Sequence, residues 1–200
     1  MNKTAALRVL AYSTITLLLA ACATAKPIGE WRDDGFSGKL NNILIIGVTA
    51  RSTRRRVWED QFVGALATQG AGSVPSYTLL ESSLELTRDI VERAIEGQGL
   101  DGVLVTRLIG IEQEQTFRLP ANYDDDRGYI SYYDHAWRET SGGYYAQYNI
   151  FTLETTLYDV ASGKLVWSMQ SQSMDASQPR QLIEDQIRLK VETLKKRGLI

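Results

Sequence analysis

The chain has one cysteine, Cys22. No intrachain disulfide can form, so any folded part must be held by its own hydrophobic core. The same residue closes an N-terminal stretch with the make-up of an export signal. Lys3 and Arg8 give a positive start with no acid, Val9 to Leu19 is largely apolar, and small Ala20 and Ala21 lead to Cys22. An apolar region of about 11 residues falls short of the roughly 20 that a helix needs to cross a bilayer core. Residues 1–21 therefore read as a cleaved signal and not as a permanent span.

The run Leu19-Ala20-Ala21-Cys22 resembles the lipobox of bacterial lipoproteins. That resemblance implies a diacylglycerated thiol, cleavage before Cys22, and acylation of the new amino group. The alternative is a buried cysteine behind an ordinary signal. One acyl chain binds a bilayer only marginally, whereas two or three make the attachment effectively permanent. Ala23, and not Asp, follows the cysteine. For a Gram-negative lipoprotein this implies sorting to the outer membrane, with the periplasmic side as the default.

The mature part, about 180 residues, suits one domain. Loss of the signal leaves 20 basic against 24 acidic residues, a net charge of −4. A mildly acidic domain lacks the basic footprint that nucleic-acid binding requires. Ala23 to Lys39, with Pro27, Gly29, Gly35 and Gly38, reads as a flexible tether spanning on the order of 20–25 Å as a coil. Within it, Trp31 and Phe36 either tuck against the domain or touch the membrane interface.

From residue 40 the pattern is globular. Asn42 to Val48 is a continuous apolar run, expected as a strand buried on both faces. Arg55 to Gln69 carries Trp58, Phe62, Ala65 and Leu66 on one helical stripe, stopped at Gly70. Ser73 to Leu79 reads as a short strand. Thr87 can cap a second helix bearing Ile90, Val91, Ala94 and Ile95, and Gly102 onward is a third strand reaching Phe117. Tyr148 to Tyr158 and Lys164 to Gln170 flank Gly163 as an antiparallel hairpin. Pro179, with Ser177 as its cap, opens a last helix with stripe Ile183, Ile187, Val191 and Leu194, closed at Gly198. The expected fold is α/β with an α+β tail: a mixed sheet with a βαβαβ first half, an antiparallel hairpin and a C-terminal helix packed on it.

These elements are similar to those of small bacterial envelope lipoproteins of unassigned function, carried by Asn42–Val48, Arg55–Asp60, Ser76–Leu80, Gly102–Leu108 and Leu157–Trp167. Their domain resembles in outline the N-terminal domain of the Tol-Pal translocation protein and the periplasmic domain of the curli-secretion lipoprotein. Such a likeness implies a fold and carries no catalytic assignment.

Between about 118 and 147 no apolar period persists, and seven of the ten tyrosines fall between Tyr123 and Tyr148. Tyr129, Tyr132, Tyr133, Trp137, Tyr144 and Tyr145 are the candidate contact residues, since tyrosine offers a large face at low rotamer cost. The segment either extends the flanking strands into a long hairpin, or contacts a protein partner, a glycan or a membrane surface. Asp124-Asp125-Asp126 reads as a solvated turn, without the spacing of a calcium loop. Arg51, Arg54, Arg55 and Arg56 sit at the first helix start. They can hold an anion, although pairing of Arg55 and Arg56 with Glu59 and Asp60 as surface ion pairs accounts for them.

His135 is the only histidine, no G-x-S-x-G occurs, and no phosphate-binding glycine motif is found. The expectation is a non-enzymatic, lipid-anchored module that binds an envelope protein or glycan or assists assembly, with no cofactor and no metal. An envelope hydrolase using acidic residues and a homo-oligomeric export or scaffold subunit are the alternatives.

Overall fold

The computed structural model describes residues 25–80, 87–118, 144–174 and 179–200. The signal, Cys22, Asp124-Asp125-Asp126, His135 and Ser177 lie outside the described residues. In chain order the elements are β1 (Ala25–Arg32), β2 (Asn42–Val48), α1 (Ser52–Ala67), β3 (Gly72–Pro75), α2 (Arg88–Ile95), β4 (Gly102–Arg118), β5 (Tyr144–Asp159), β6 (Leu165–Met174) and α3 (Pro179–Lys196). A single 3₁₀ turn, Ser76–Thr78, follows β3.

The strands form one mixed sheet of order β1-β6-β5-β4-β2-β3. β3, β2 and β4 run parallel, while β4, β5, β6 and β1 are antiparallel neighbours. This is the expected α/β class. β2 is the hinge of the layers. Its Ile43 and Ile45 join Phe62, Leu66, Ile187, Val191 and Leu194 in the main core, beneath α1 and α3. Its Leu44 and Ile46 turn to the other face and pack with Val103, Val91 and Ile95, beneath α2. An uninterrupted apolar run is what a strand covered on both sides requires. Trp167 is fully buried in the larger core.

Helix ends follow the glycines. Gly70 and Gly198 have φ of +82° and +68°. At the α3 end Leu199 N–H donates to the Leu194 carbonyl (3.0 Å) and Gly198 N–H to that of Lys195 (3.0 Å), the double closure of a Schellman motif. Thr87 occupies the N-cap position of α2, but its hydroxyl makes no cap bond.

Two expectations require correction. The supposed coil over 23–39 contains β1, which pairs with β6 from Ala25↔Ser173 to Arg32↔Trp167. The strand escapes a period-two reading because Pro27 and a bulge before Gly29 interrupt it, both tolerated at a sheet edge. Phe36 packs on the core, whereas Trp31 stays 48% exposed. The strand read over Ser73–Leu79 ends at Pro75, and the next three residues curl into the 3₁₀ turn. That turn places Ser76 and the Tyr77 N–H against Glu59.

Candidate functional site

β4 and β5 are far longer than their neighbours. Their ladder runs from Gly102↔Asp159 to Arg118↔Tyr144, past the last β2 pair at Val48↔Arg107 and the last β6 pair at Ile150↔Met174. A two-stranded ribbon therefore projects beyond the sheet. Tyr144 and Tyr145 belong to β5, not to an irregular insertion, and Tyr145 is 69% exposed. Tyr129, Tyr132, Tyr133 and Trp137 lie outside the described residues.

At the root of the ribbon lies an open groove of about 540 Å³. Val48, Trp58, Leu108, Phe151, Leu153 and Ile183 supply its apolar wall, with Arg54 at its rim. It opens at the C-terminal end of β2, beside Thr106–Leu108 in the first half of β4, where α1 leaves to one face of the sheet and α2 serves the other. In open α/β sheets such a switch point is where ligands gather. Sequence reasoning missed it because its wall is assembled from five separated elements. Among the described residues that line it there is no carboxylate. A second depression between α1 and α3 has Glu184 and Glu192, but these stand eight positions apart on one helix, about 12 Å along its axis. Among the described residues no three His, Cys, Asp or Glu side chains cluster to hold a metal.

Under the groove, the arginines expected in surface pairs contribute one buried network. Glu59 is fully buried and Arg55 nearly so. Glu59 Oε1 accepts from Arg55 Nε (2.9 Å), Gly47 N–H (2.9 Å) and Ser76 Oγ (2.5 Å), while Oε2 accepts from Tyr77 N–H (3.1 Å). Arg55 Nη2 donates to Ser76 Oγ at 2.6 Å. A carboxylate so fully bonded is a clamp joining β2, α1 and the 3₁₀ turn. Arg56 instead lies over the Tyr77 ring, 5.0 Å from its centroid. Tyr77 donates its hydroxyl to Asp60 (2.6 Å), which raises its pKa above the phenol range.

A second buried polar set was not foreseen. Lys190 is fully buried on α3 and donates to Gln186 Oε1 (2.5 Å) and Ser171 Oγ (3.0 Å). Its Nζ also sits 5.8 Å from the Trp58 ring centroid. Desolvation lowers its pKa to about 7. The signal was present in the sequence, because position 190 falls on the same helical stripe as Ile183, Ile187 and Leu194.

β1 is also joined to the residue after α3. Arg197 binds Glu30 through two nitrogens (2.8 and 2.7 Å), and Trp167 Nε1 donates to the same carboxylate (2.9 Å). The Arg197 hydrogen bonds hold Glu30 below the ordinary carboxylate range, outweighing the opposing effect of partial burial.

Neither a protein-family model nor a curated protein sequence matches the chain. Among solved structures, a PelC dodecamer from Paraburkholderia phytofirmans is 10% identical over 84% of this chain and 94% of its own, with a TM-score of 0.45. Lipoprotein GNA1162 from Neisseria meningitidis is 14% identical over 78% of this chain and 98% of its own, with a TM-score of 0.41. These matches do not show the expected likeness to the Tol-Pal translocation protein, and at such scores they transfer no residue role. The chain is similar in general outline to bacterial proteins that include a lipoprotein and a dodecamer, and the likeness ends there.

Proposed function

We propose that the chain is an outer-membrane lipoprotein, acylated at Cys22 and facing the periplasm, which acts as a non-enzymatic binding or assembly module. The carrying observation is the apolar run closed by Leu19-Ala20-Ala21-Cys22, set two residues before a strand that is bonded into the body of the domain. The buried polar groups support the non-enzymatic part. Glu59 and Lys190 have their bonds directed inward, and the groove offers an apolar wall with no paired acids. Labelled palmitate should enter the wild-type protein in a Gram-negative host and be lost in Cys22→Ser. Equal labelling of both, or labelling of neither, overturns the reading.

A specific observation favours one second reading, a subunit of a homo-oligomer. On the sheet face turned from α1 and α3, the α2 cover reaches Tyr158, and Trp31 and Gln170 on β1 and β6 remain exposed among the described residues. Light scattering on detergent-solubilised protein tests it: a monomer mass excludes it.

A further inference from the structure

We infer that the domain is seated on the bilayer by the end of the sheet from which the ribbon projects, so that the groove mouth and ribbon root face lipid. This rests on the acylation of Cys22 proposed above. Only two residues separate Cys22 from Ala25, the first of β1, and each of the three chain steps covers at most about 3.6 Å, so the leash is no longer than about 11 Å. Ala25 therefore stays close to the membrane surface.

Register shows which end that is. Ala25 pairs with Ser173, Ser173 with Phe151, and Phe151 with Ile111. This row crosses the sheet at the root of the ribbon. From Ile111 the ribbon continues seven residues to Arg118, about 23 Å at strand rise, roughly twice the leash. With the strands upright, its tip would reach lipid before the leash was taut.

Exposed apolar side chains select the same end. Among the described residues nine large hydrophobic side chains are exposed, and only Trp31 lies away from this end; Ile28 is level with Leu108 through Pro27↔Ser171 and Leu153↔Ser171. Val48 (49% exposed), Leu108 (47%), Ile111 (57%) and Met174 (49%) mark it. Exposed apolar groups gathered at one pole are characteristic of an interaction surface. Arg51 and Arg54, exposed at the start of α1, add positive charge there, suited to anionic headgroups. The opposite pole, with Asp34, Gln98 and Lys164, is polar.

The test uses the full-length lipoprotein, whose own thiol is consumed by lipid. Single cysteines are added by Leu108→Cys and Ile111→Cys, or at the far pole by Gln98→Cys and Lys164→Cys. Each is labelled with an environment-sensitive fluorophore, and the protein is reconstituted in vesicles of phosphatidylethanolamine and phosphatidylglycerol. Interfacial groups sink about 5–10 Å into the headgroup region, so labels at 108 and 111 should shift to the blue and lose iodide quenching about threefold or more against those at 98 and 164. Flotation of the unlabelled protein with the vesicles reads the anchor separately. Flotation with four equally quenched labels overturns the seating and leaves the anchor standing. Failure to float overturns both.

Discussion

At the scale of single residues, two buried charges behave in opposite ways. Glu59 and Arg55 satisfy each other, so removing one member leaves the other uncompensated. Glu59→Gln should lower stability by about 3–5 kcal/mol in urea unfolding, the usual cost of orphaning a buried charge. Glu184→Gln should change it by less than about 0.5 kcal/mol, because the Arg180–Glu184 pair is exposed (84% and 52%). Lys190 has no carboxylate among the partners that bond it. Its pKa falls from the ordinary lysine value of 10.5 to about 7 on folding. Between those values the unfolded chain binds the extra proton, so stability rises with pH, by up to about 1.4 kcal/mol per unit. Below pH 7 both states carry the proton and the cost of burying it is constant. Lys190→Met should therefore be more stable than wild type at pH 7, and its unfolding free energy should lose the upward slope between pH 7 and 10. Gln186 Oε1 keeps the Ser171 hydroxyl as a donor in that variant. A wild-type protein whose stability is flat over this interval contradicts the assignment.

At the scale of elements, helix interior and helix end make opposite demands on glycine. Gly64 lies inside α1 with nothing within 4 Å of a added Cβ, so Gly64→Ala should raise stability by roughly 0.5–1 kcal/mol. Gly198 holds φ at +68°, so Gly198→Ala should lower it by about 1 kcal/mol, although its space is equally open. Thermal melts of the two variants should move in opposite directions. These elements were legible in the sequence because local chemistry specifies them. The β2 run, the stripes of α1 and α3, and the glycine stops each state their role within a dozen residues. β1 was illegible because its pattern is broken by Pro27 and its existence depends on β6, more than 130 residues away. The buried Arg55–Glu59 pair was legible as a pair by its spacing, but not as buried, since burial comes from the 3₁₀ turn that Ser76 supplies. The groove was least legible of all. Its walls are ordinary core-like residues, and only the sheet order brings Leu108, Phe151 and Ile183 to one place.

At the scale of the whole molecule, residues 30–40 and the last four residues secure each other. Four contacts tie the last residues to the segment that carries the proposed anchor. Leu40 N–H donates to the Leu199 carbonyl (2.8 Å), Lys39 Nζ to that of Ile200 (3.4 Å), and Arg32 Nη1 to that of Arg197 (2.8 Å), while Arg197 grips Glu30. Leu199 itself is fully buried in the main core. A truncation after Lys196 would therefore remove a core side chain, worth about 2–5 kcal/mol, together with every one of these pins. Its local signature is more telling than its size. Amide exchange should accelerate most in β1 and around Leu40, at the opposite end of the sequence, while the β2–β4 and β4–β5 ladders retain their relative protection. Acid should mimic the Glu30 part of this effect in the intact protein. The folded carboxyl has a lowered pKa, so its contribution is complete above the ordinary carboxylate range and is lost as pH falls through the folded value. Glu30→Gln should accordingly speed β1 exchange at pH 7, and its difference from wild type should shrink as pH falls through the lowered folded value. If truncation loosens all strands alike, the N-terminal strand is an ordinary part of the sheet, and the C-terminus has no particular hold on the segment next to the proposed anchor.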